Sequence, residues 1–425
     1  LDLHGSNCVV DAACASTLSA VQIAVNELHS GHSNLVIAGG VDTLNDILMY
    51  MCFSKTPAFS KTGDCRPFSA AADGTIIGEG LGMFALKRLE DAERDGNPIY
   101  AVLKGLGASS DGKSTSVYAP RPEGQALAIE RAYQYAGYDT HTVDLVEAHG
   151  TGTLAGDKAE LAGLMAAFKP ERKNPCALGS IKSQIGHTKA AAGSAGLFKI
   201  IMAVQQGVLP ATLKIDQPNS ALTEQSSFYL NTQLKPWFRP KNHPRRASVS
   251  AFGFGGSNFH ATIEEYEGHN KAKPFRALPS ELVLISAQTT ENLTATLLQF
   301  QQCQNTQDYL HNIKQAQQQF NAKHPCRMAW VSLSLEDCLN TTKQLLATGH
   351  PYSIDGINYR NSTDQPGKMA TIFSGQGSQY IDMGLDLACY FTESKSVWQD
   401  ENLTDEVRQK TFPATTWPSN PVKNT

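Results

Sequence analysis

Along residues 1 to about 266, short β-branched runs alternate with stretches whose apolar residues recur at helical spacing. That alternation restricts this part of the chain to an α/β architecture built on a packed sheet. Strands are predicted at Leu35–Ala38, Gly82–Leu86, Ala101–Leu103, Leu145–Ala148, Ala177–Ile181, Ala247–Ala251 and Phe259–Glu264, with a further buried strand at Cys8–Val10. Helices are predicted at Ala15–Leu28, Glu123–Ala136, Asp157–Ala167 and Ala190–Gln206. Near residue 267 the texture changes to a polar linker, Glu267 to Pro274. A smaller α/β module follows, with strands at Leu282–Ser286 and Met328–Ser332, a helix at Glu291–Phe300, and a glutamine-rich stretch, Gln299 to Gln319. Leu310 and Ile313 keep helical spacing there, so the stretch reads as a solvated helix. A third segment opens near Gly367, where a strand at Met369–Phe373 runs into the glycine turn Ser374-Gly375-Gln376-Gly377-Ser378-Gln379.

The chain has 425 residues, enough for two or three domains. A formal net charge of -4 gives no electrostatic case for nucleic acid or an anionic membrane surface. No apolar run is long enough to span a bilayer and no signal peptide is present. The nine cysteines show no C-x-x-C and no regular spacing, which suggests neither a disulfide framework nor a zinc site and points to the reducing cytoplasm. Because the chain opens at Leu1 within a few residues of a strand and closes without a terminal element, the sequence reads as a fragment cut at both ends.

Four places carry chemistry. Cys14 follows a β-branched run and precedes a helical pattern, so it sits where unpaired N–H groups and the helix macrodipole favour a thiolate. Its neighbours Ala12, Ala13, Ala15 and Ser16 leave room for a substrate, although a buried structural cysteine has the same local pattern. His149 stands after a strand in Glu147-Ala148-His149-Gly150-Thr151-Gly152-Thr153, whose glycines allow close backbone approach. His187 precedes the small-residue run Ala190 to Gly196, at the start of a helix that must pack tightly in the core, and the helix end would hold its imidazole neutral. Lys182, five residues earlier, follows a strand. Finally, Ala251 to Asn258 is a glycine loop between two strands, able to aim consecutive N–H groups at an anion. With no G-x-G-x-x-G and no helix after it, a dinucleotide reading is weak.

One cysteine and two separate histidines in this order, closed by a Gly-Phe-Gly-Gly loop, resemble the condensing enzymes: the β-ketoacyl synthases of fatty acid and polyketide synthases. The matching motifs are Asp11-Ala12-Ala13-Cys14-Ala15-Ser16, Glu147 to Thr153, Lys182-Ser183-Gln184-Ile185-Gly186-His187-Thr188 and Gly253-Phe254-Gly255-Gly256-Ser257-Asn258. The resemblance runs from residue 1 to about 265. Met49 to Phe59 and Tyr118 to Gln125 look most like the ketosynthase of bacterial polyunsaturated fatty acid synthases. Ser374 to Tyr380 is similar to the start of a malonyl-CoA acyltransferase domain, with Gln376 at its oxyanion-hole position; no Gly-His-Ser-x-Gly nucleophile follows. The resemblance therefore implies a ketosynthase over residues 1–266 without its N-terminal part, a ketosynthase–acyltransferase linker module over 267–366, and a truncated acyltransferase start over 367–425. The implied fold is thiolase-like, with α-β-α-β-α layers whose first half is truncated, and usually homodimeric.

The implied reaction is a decarboxylative Claisen condensation. Cys14 would take an acyl group from the phosphopantetheine of an acyl carrier protein, and His149 and His187 would hold the oxygen of a malonyl thioester as it loses carbon dioxide. Backbone N–H groups of Cys14 and Phe254 would form the oxyanion hole. Thr151 and Thr153 match positions that bind the pantetheine arm, Gly255 and Gly256 line the substrate, and Lys182 supports the histidines with Asp157 and Glu160 behind it. The family needs no metal and no cofactor bound by this domain. Two rivals remain: a thiolase- or chalcone-type enzyme, against which two glycine-flanked histidines argue, and an inactive remnant acting only as a carrier-protein docking surface. Both histidines lack an adjacent carboxylate, except that Glu147 precedes His149 by two residues on a strand, which puts both on one face.

Overall fold

The computed structural model describes residues 3–414 apart from 57, 115, 117, 169–174, 224, 275–277, 349–354, 363–369, 374, 376 and 401. In chain order, a 3-10 turn (Ala13–Ala15) leads into α1 (Ser16–His29), β1 (Val36–Asp42), α2 (Ile47–Lys55), β2 (Gly80–Leu86), α3 (Leu89–Arg94) and β3 (Val102–Ser110). Then come α4 (Pro122–Ala136), β4 (Leu145–Glu147), α5 (Leu154–Ala167), β5 (Cys176–Gly179), the single turn α6 (Lys182–Ile185) and α7 (Ala192–Gln206). The short β6 (Val208–Leu209), β7 (Phe228–Leu230) and β8 (Lys235–Pro236) precede the hairpin β9 (Arg246–Gly253) and β10 (Ser257–Glu264). The remainder comprises β11 (Glu281–Ala287), α8 (Thr290–Gln301), α9 (Thr306–Gln319), β12 (Cys326–Ser332), α10 (Leu335–Thr348), β13 (Asn358–Asn361), α11 (Leu385–Tyr390), α12 (Thr392–Trp398) and α13 (Asp405–Thr411).

These elements form two units, residues 1–275 with 379–425, and residues 276–378. The first is centred on a six-stranded sheet of order β3-β10-β9-β4-β5-β7. Strands β9, β4, β5 and β7 run parallel, while β3, β10 and β9 pair antiparallel. Alternate residues of β9 face opposite ways. Ala247, Val249 and Ala251 pack with Leu18 and Val21 of α1 and Leu197, Ile200 and Val204 of α7. On the other face Ser248 accepts a hydrogen bond from Tyr133 of α4 (3.0 Å), beside the core of Ile129, Leu161, Leu164, Phe168 and Leu178. The central strands are thus covered on both faces, and the polar residues that alternate along β9 and β10, such as Ser248, His260 and Thr262, are buried. Beyond α1 and α7 lies the antiparallel pair β1–β2. The order is thus helix, sheet, helix, sheet, and the inner helix layer is squeezed between two sheets. That is why it is built of small residues: a Cβ on Gly193 would lie 2.9 Å from Thr17 Cβ, and one on Gly40 would lie 2.2 Å from Thr17 Oγ1.

The second unit has a three-stranded antiparallel sheet, β11-β12-β13, over a core that includes Val283, Ile285, Phe300 and Trp330. The described part of 379–425 packs within the first unit. Lys235 Nζ pairs with Asp382 (2.7 Å), and Phe238, Trp398 and Phe412 cluster, the last two with centroids 4.9 Å apart. Among the described residues no helix is long and apolar enough to cross a membrane.

Three local expectations are corrected. Cys8–Val10 is not a strand: Val9 is 97% exposed, and no described strand lies beside it to complete a ladder. Ala370–Phe373 is not a strand either, with Ile372 92% exposed, while Met369 lies outside the described residues. The glutamine-rich stretch is two helices, because Asn305 caps α9 by accepting from Asp308 N (3.0 Å) and ends the run from α8. Leu310 points outward; Tyr309, Ile313 and Ala316 make the buried stripe.

Candidate active site

Cys14 is the middle residue of the 3-10 turn that opens α1. The turn needs Ala13 in the left-handed region, φ 51°, a conformation that costs roughly 1–3 kcal/mol for a residue with a Cβ. Side chains hold it there. Asp11 Oδ1 accepts from Ala13 N (2.8 Å), while Ser16 Oγ accepts from Ala12 N (2.9 Å) and donates to Ala13 O (2.7 Å). The β9–β10 hairpin closes over the turn at Gly253, where a Cβ would stand 2.2 Å from Ala12 O. The thiol is buried, and burial pushes its pKa up. The Lys182 ammonium and the N–H groups of Phe254 and of Cys14 itself pull the other way without prevailing. This corrects the expectation of a helix-end thiolate, because desolvation outweighs the helix end here.

His149 arrives on the loop after β4. His187 arrives on a segment tied beside Ile77, with its N–H donated to Ile76 O (2.6 Å) and its carbonyl accepting from Gly78 N (2.9 Å). A ligand atom from each ring and the Cys14 sulfur all lie within 4.8 Å of one another. The rings meet edge to face, centroids 5.4 Å apart, and Phe252 packs 5.7 Å from His149. Burial, first, and the Lys182 charge hold both imidazoles well below the usual histidine range, so both are neutral. For His187 this replaces the expected helix-end effect, since a 3-10 turn (Lys189–Ala191) separates it from α7.

The tautomer of His187 is set by the backbone. Lys189 N donates to His187 Nδ1 (3.1 Å), so the proton of the neutral ring sits on Nε2. Lys189, itself at φ 50°, is held by Asp42 Oδ1 (2.9 Å), Asn45 Oδ1 (2.6 Å) and Gly78 O (3.0 Å). A metal-ligating histidine instead donates its second ring N–H to an acceptor. The second ring nitrogen of His187 faces a donor, so this ring presents an N–H to the cluster.

Behind the histidines, two buried carboxylates hold the Gly-Thr-Gly-Thr loop by its backbone. Glu160 accepts from His149 N and Gly150 N (both 2.7 Å); Asp157 accepts from Gly152 N (3.0 Å) and Phe68 N (2.7 Å). Lys182 is buried and its Nζ donates to His149 O. Burial lowers the Lys182 pKa, against the pull of Glu147 and Glu160, and pushes Asp157 and Glu160 each up to about 7. A carboxyl whose folded pKa is raised from 4.5 to about 7 favours the fold fully below 4.5, and that contribution is lost as pH rises through about 7. Wild-type melting temperature is therefore expected to fall by a few degrees between pH 5 and pH 8, and Glu160→Gln to flatten that slope. Calorimetry across this range checks it; an unchanged slope in the variant would assign the titration elsewhere.

Thr153 caps α5, accepting from Gly156 N (3.2 Å), and its hydroxyl meets that of Thr151 (2.9 Å). Gly255 and Gly256, at φ 90° and 84°, make the hairpin turn beside Phe254, whose half-exposed ring meets Tyr118 edge-on at 5.5 Å. The expected face-sharing of Glu147 with His149 does not occur: Glu147 turns to Lys199 (2.6 Å) and Ile181 N (2.6 Å). Gln376 lies outside the described residues. Sequence reasoning missed Lys189, Phe252 and the Glu147–Lys199 pair. Only Lys189 had a signal, its place two residues after His187.

Comparison with known proteins agrees with this geometry. Residues 1–92 match the family model of the beta-ketoacyl synthase N-terminal domain, residues 100–216 that of the C-terminal domain, and residues 218–331 the ketoacyl-synthetase C-terminal extension. The chain is 39% identical over 418 residues to a polyunsaturated fatty acid synthase polypeptide of Thraustochytrium sp., covering 91% of this chain and 15% of that protein. It is 35% identical over 396 residues to a phenolphthiocerol/phthiocerol polyketide synthase polypeptide of Mycobacterium tuberculosis, covering 91% of this chain and 21% of that one. The chain thus spans a small part of these relatives' lengths. Among solved structures, it resembles the ketosynthase from module 6 of the bacillaene synthase of Bacillus subtilis 168, with TM-score 0.59, 32% identity, and coverage of 83% of this chain and 61% of that one. The oxazolomycin ketosynthase domain of Streptomyces albus JA3453 gives TM-score 0.61, 29% identity, and coverage of 84% and 61%. A buried cysteine turn, two neutral imidazoles and a glycine hairpin on a thiolase-like sheet, together with these matches, make the chain a member of the β-ketoacyl synthase family.

Proposed function

We propose that this chain catalyses decarboxylative Claisen condensation, as a 3-oxoacyl-[acyl-carrier-protein] synthase in fatty acid or polyketide, specifically polyunsaturated fatty acid, biosynthesis. The observation that carries it is the approach of the Cys14 sulfur and both imidazoles, with the His187 proton fixed on Nε2. The Cys14 sulfur attacks an acyl thioester, its thiol proton passes to the departing phosphopantetheine sulfur, and the acyl group stays on Cys14. The C–C bond to the carboxylate of a malonyl thioester then breaks, and carbon dioxide departs. The electron pair enters an enolate whose oxygen is held by N–H donors of His149 and His187. The enolate carbon attacks the Cys14 acyl carbonyl. Its oxyanion is held by the N–H groups of Cys14 and Phe254; collapse expels the Cys14 sulfur, which takes up a proton from solvent to restore the thiol, and leaves a β-ketoacyl thioester on the carrier. Burial, with the Lys182 charge adding to it, keeps both imidazoles neutral, as an enolate-stabilising donor pair requires.

In this reading an acyl carrier protein docks at the mouth formed by Phe254 and Tyr118, the pantetheine arm runs past Thr151 and Thr153 and the Gly255-Gly256 turn, and the working form is a cytoplasmic homodimer. Residues 1–266 are the ketosynthase, 267–366 its linker module and 367–425 the beginning of an acyltransferase. An acyl-thioester probe followed by peptide mass spectrometry tests the reaction. One acyl adduct at Cys14, absent from Cys14→Ala, is expected. No adduct on the wild-type chain would favour the remnant that only docks a carrier protein.

A further inference from the structure

A buried ion pair lies beneath the site, outside the groups that touch substrate. Glu147, the last residue of β4, is wholly buried; Lys199, on α7, is 7% exposed. Their charged atoms stand 2.6 Å apart. The slot is shaped for them by two glycines. A Cβ on Gly196 would lie 3.2 Å from Glu147 Cγ and 2.8 Å from Val249 Cγ2, and one on Gly179 would lie 3.4 Å from Lys199 Nζ and 2.7 Å from Thr212 Oγ1. Packing alone does not call for such a pair, since apolar residues of similar volume fill a slot at equal or better stability. The other oxygen of Glu147 reaches the site: Oε1 accepts from Ile181 N (2.6 Å). Ile181 begins the turn that carries Lys182. The rest of that turn is held from the side, where Ser180 N donates to Thr212 Oγ1 (3.2 Å) and Leu213 N donates to Ser183 Oγ (3.0 Å). The Lys182 ammonium then meets His149 O.

We propose that Glu147 and Lys199 are positioning residues, a charge-balanced anchor that fixes the Ile181–Lys182 turn and supplies a counter-charge to the Lys182 ammonium. The groups that act on Lys182 are Glu147, Glu160, Asp157, Cys65 and Cys14, with the neutral rings of His149 and His187. Of the carboxylates, Asp157 and Glu160 are pushed up to about 7, while Glu147 is locked to a cation. The Glu147 carboxylate, fixed between Lys199 Nζ and Ile181 N, favours the protonated form of Lys182. The inference rests on the condensing reading above, in which Lys182 acts as the cation behind the donor pair.

The test is the pH profile of malonyl thioester decarboxylation by the full chain, measured as carbon dioxide release. Glu147→Gln keeps the shape of the slot and an acceptor for Ile181 N but removes the charge. It is expected to move the alkaline limb down by about one pH unit, and so lower the rate on the alkaline side of the wild-type limb by about tenfold. The double variant Glu147→Gln/Lys199→Met, which also removes the stranded cation, is expected to move the limb in the same direction by less. A limb that stays at the wild-type pH in Glu147→Gln overturns the proposal, even with a lower melting temperature, since it leaves the pair a packing role only. Should Glu147→Gln not fold, the double variant carries the test on the same terms. Failure of the condensing reading looks different: the wild-type chain itself would release no carbon dioxide.

Discussion

Cys14→Gln is expected to lower chain extension by about 10⁴-fold or more, the scale on which removal of a covalent nucleophile is felt, while release of carbon dioxide from a malonyl thioester continues within about tenfold of wild type. The two half-reactions use different groups. Acyl transfer needs the sulfur, which a side-chain amide cannot replace. Enolate formation needs the neutral donors His149 and His187, and neither depends on the thiol for its orientation: His187 is held by Lys189 N, and the His149 backbone by Glu160. Product analysis by mass spectrometry alongside carbon dioxide capture separates the two. A lengthened acyl chain from Cys14→Gln would remove Cys14 from its assigned role.

The complementary result is expected of His187→Ala. Loss of one oxyanion donor should lower decarboxylation by about 10²–10³-fold, or roughly 3–4 kcal/mol of barrier. Acylation of Cys14 by a thioester probe should change far less, since the proposed mechanism gives that step a different oxyanion hole, the Cys14 and Phe254 N–H groups. Because burial and Lys182 hold both imidazoles well below the usual range, the wild-type rate should show no histidine limb between pH 6 and pH 8. A rate that rose sharply across that interval would mean that an imidazolium forms in the resting site and that the donors are not neutral. Equal losses in acylation and decarboxylation would reduce His187 to a packing residue.

The sheet was legible from short buried runs, such as Leu145-Val146 and Ala177-Leu178, set between stretches of helical spacing. The small-residue run Ala190 to Gly196 also spoke plainly, and the structure gives its cause in the squeeze of α7 between two sheets. Cys14, His149, His187 and the Phe254 loop were found from their motifs, which are local. What could not be read was whatever depends on partners distant in sequence. The thiol lies low in the fold, so burial overrides the helix end that the sequence advertised. The His187 tautomer depends on the left-handed backbone of Lys189, and Glu147 turns away from His149 because Lys199, fifty-two positions later, waits for it. Val9 has strand propensity and no ladder partner, and propensity without pairing leaves an extended segment.

The site gathers residues from nearly the whole length of the first unit, and this has a consequence for how the chain is made. Cys14 and the hairpin at Phe254 are 240 positions apart (254 − 14). At synthesis rates of about 5–20 residues per second, Cys14 leaves the ribosome roughly 12–50 s before the loop that covers it. His149 and His187 follow in the interval, and β9, which inserts between β10 and β4, comes after both. Until β9 enters the sheet, Gly253 cannot close over Ala12, the left-handed turn at Ala13 has no lid, and Cys14 is an ordinary thiol on a nascent chain. Order of emergence thus withholds the reactive arrangement until the last strand pair of the sheet is in place.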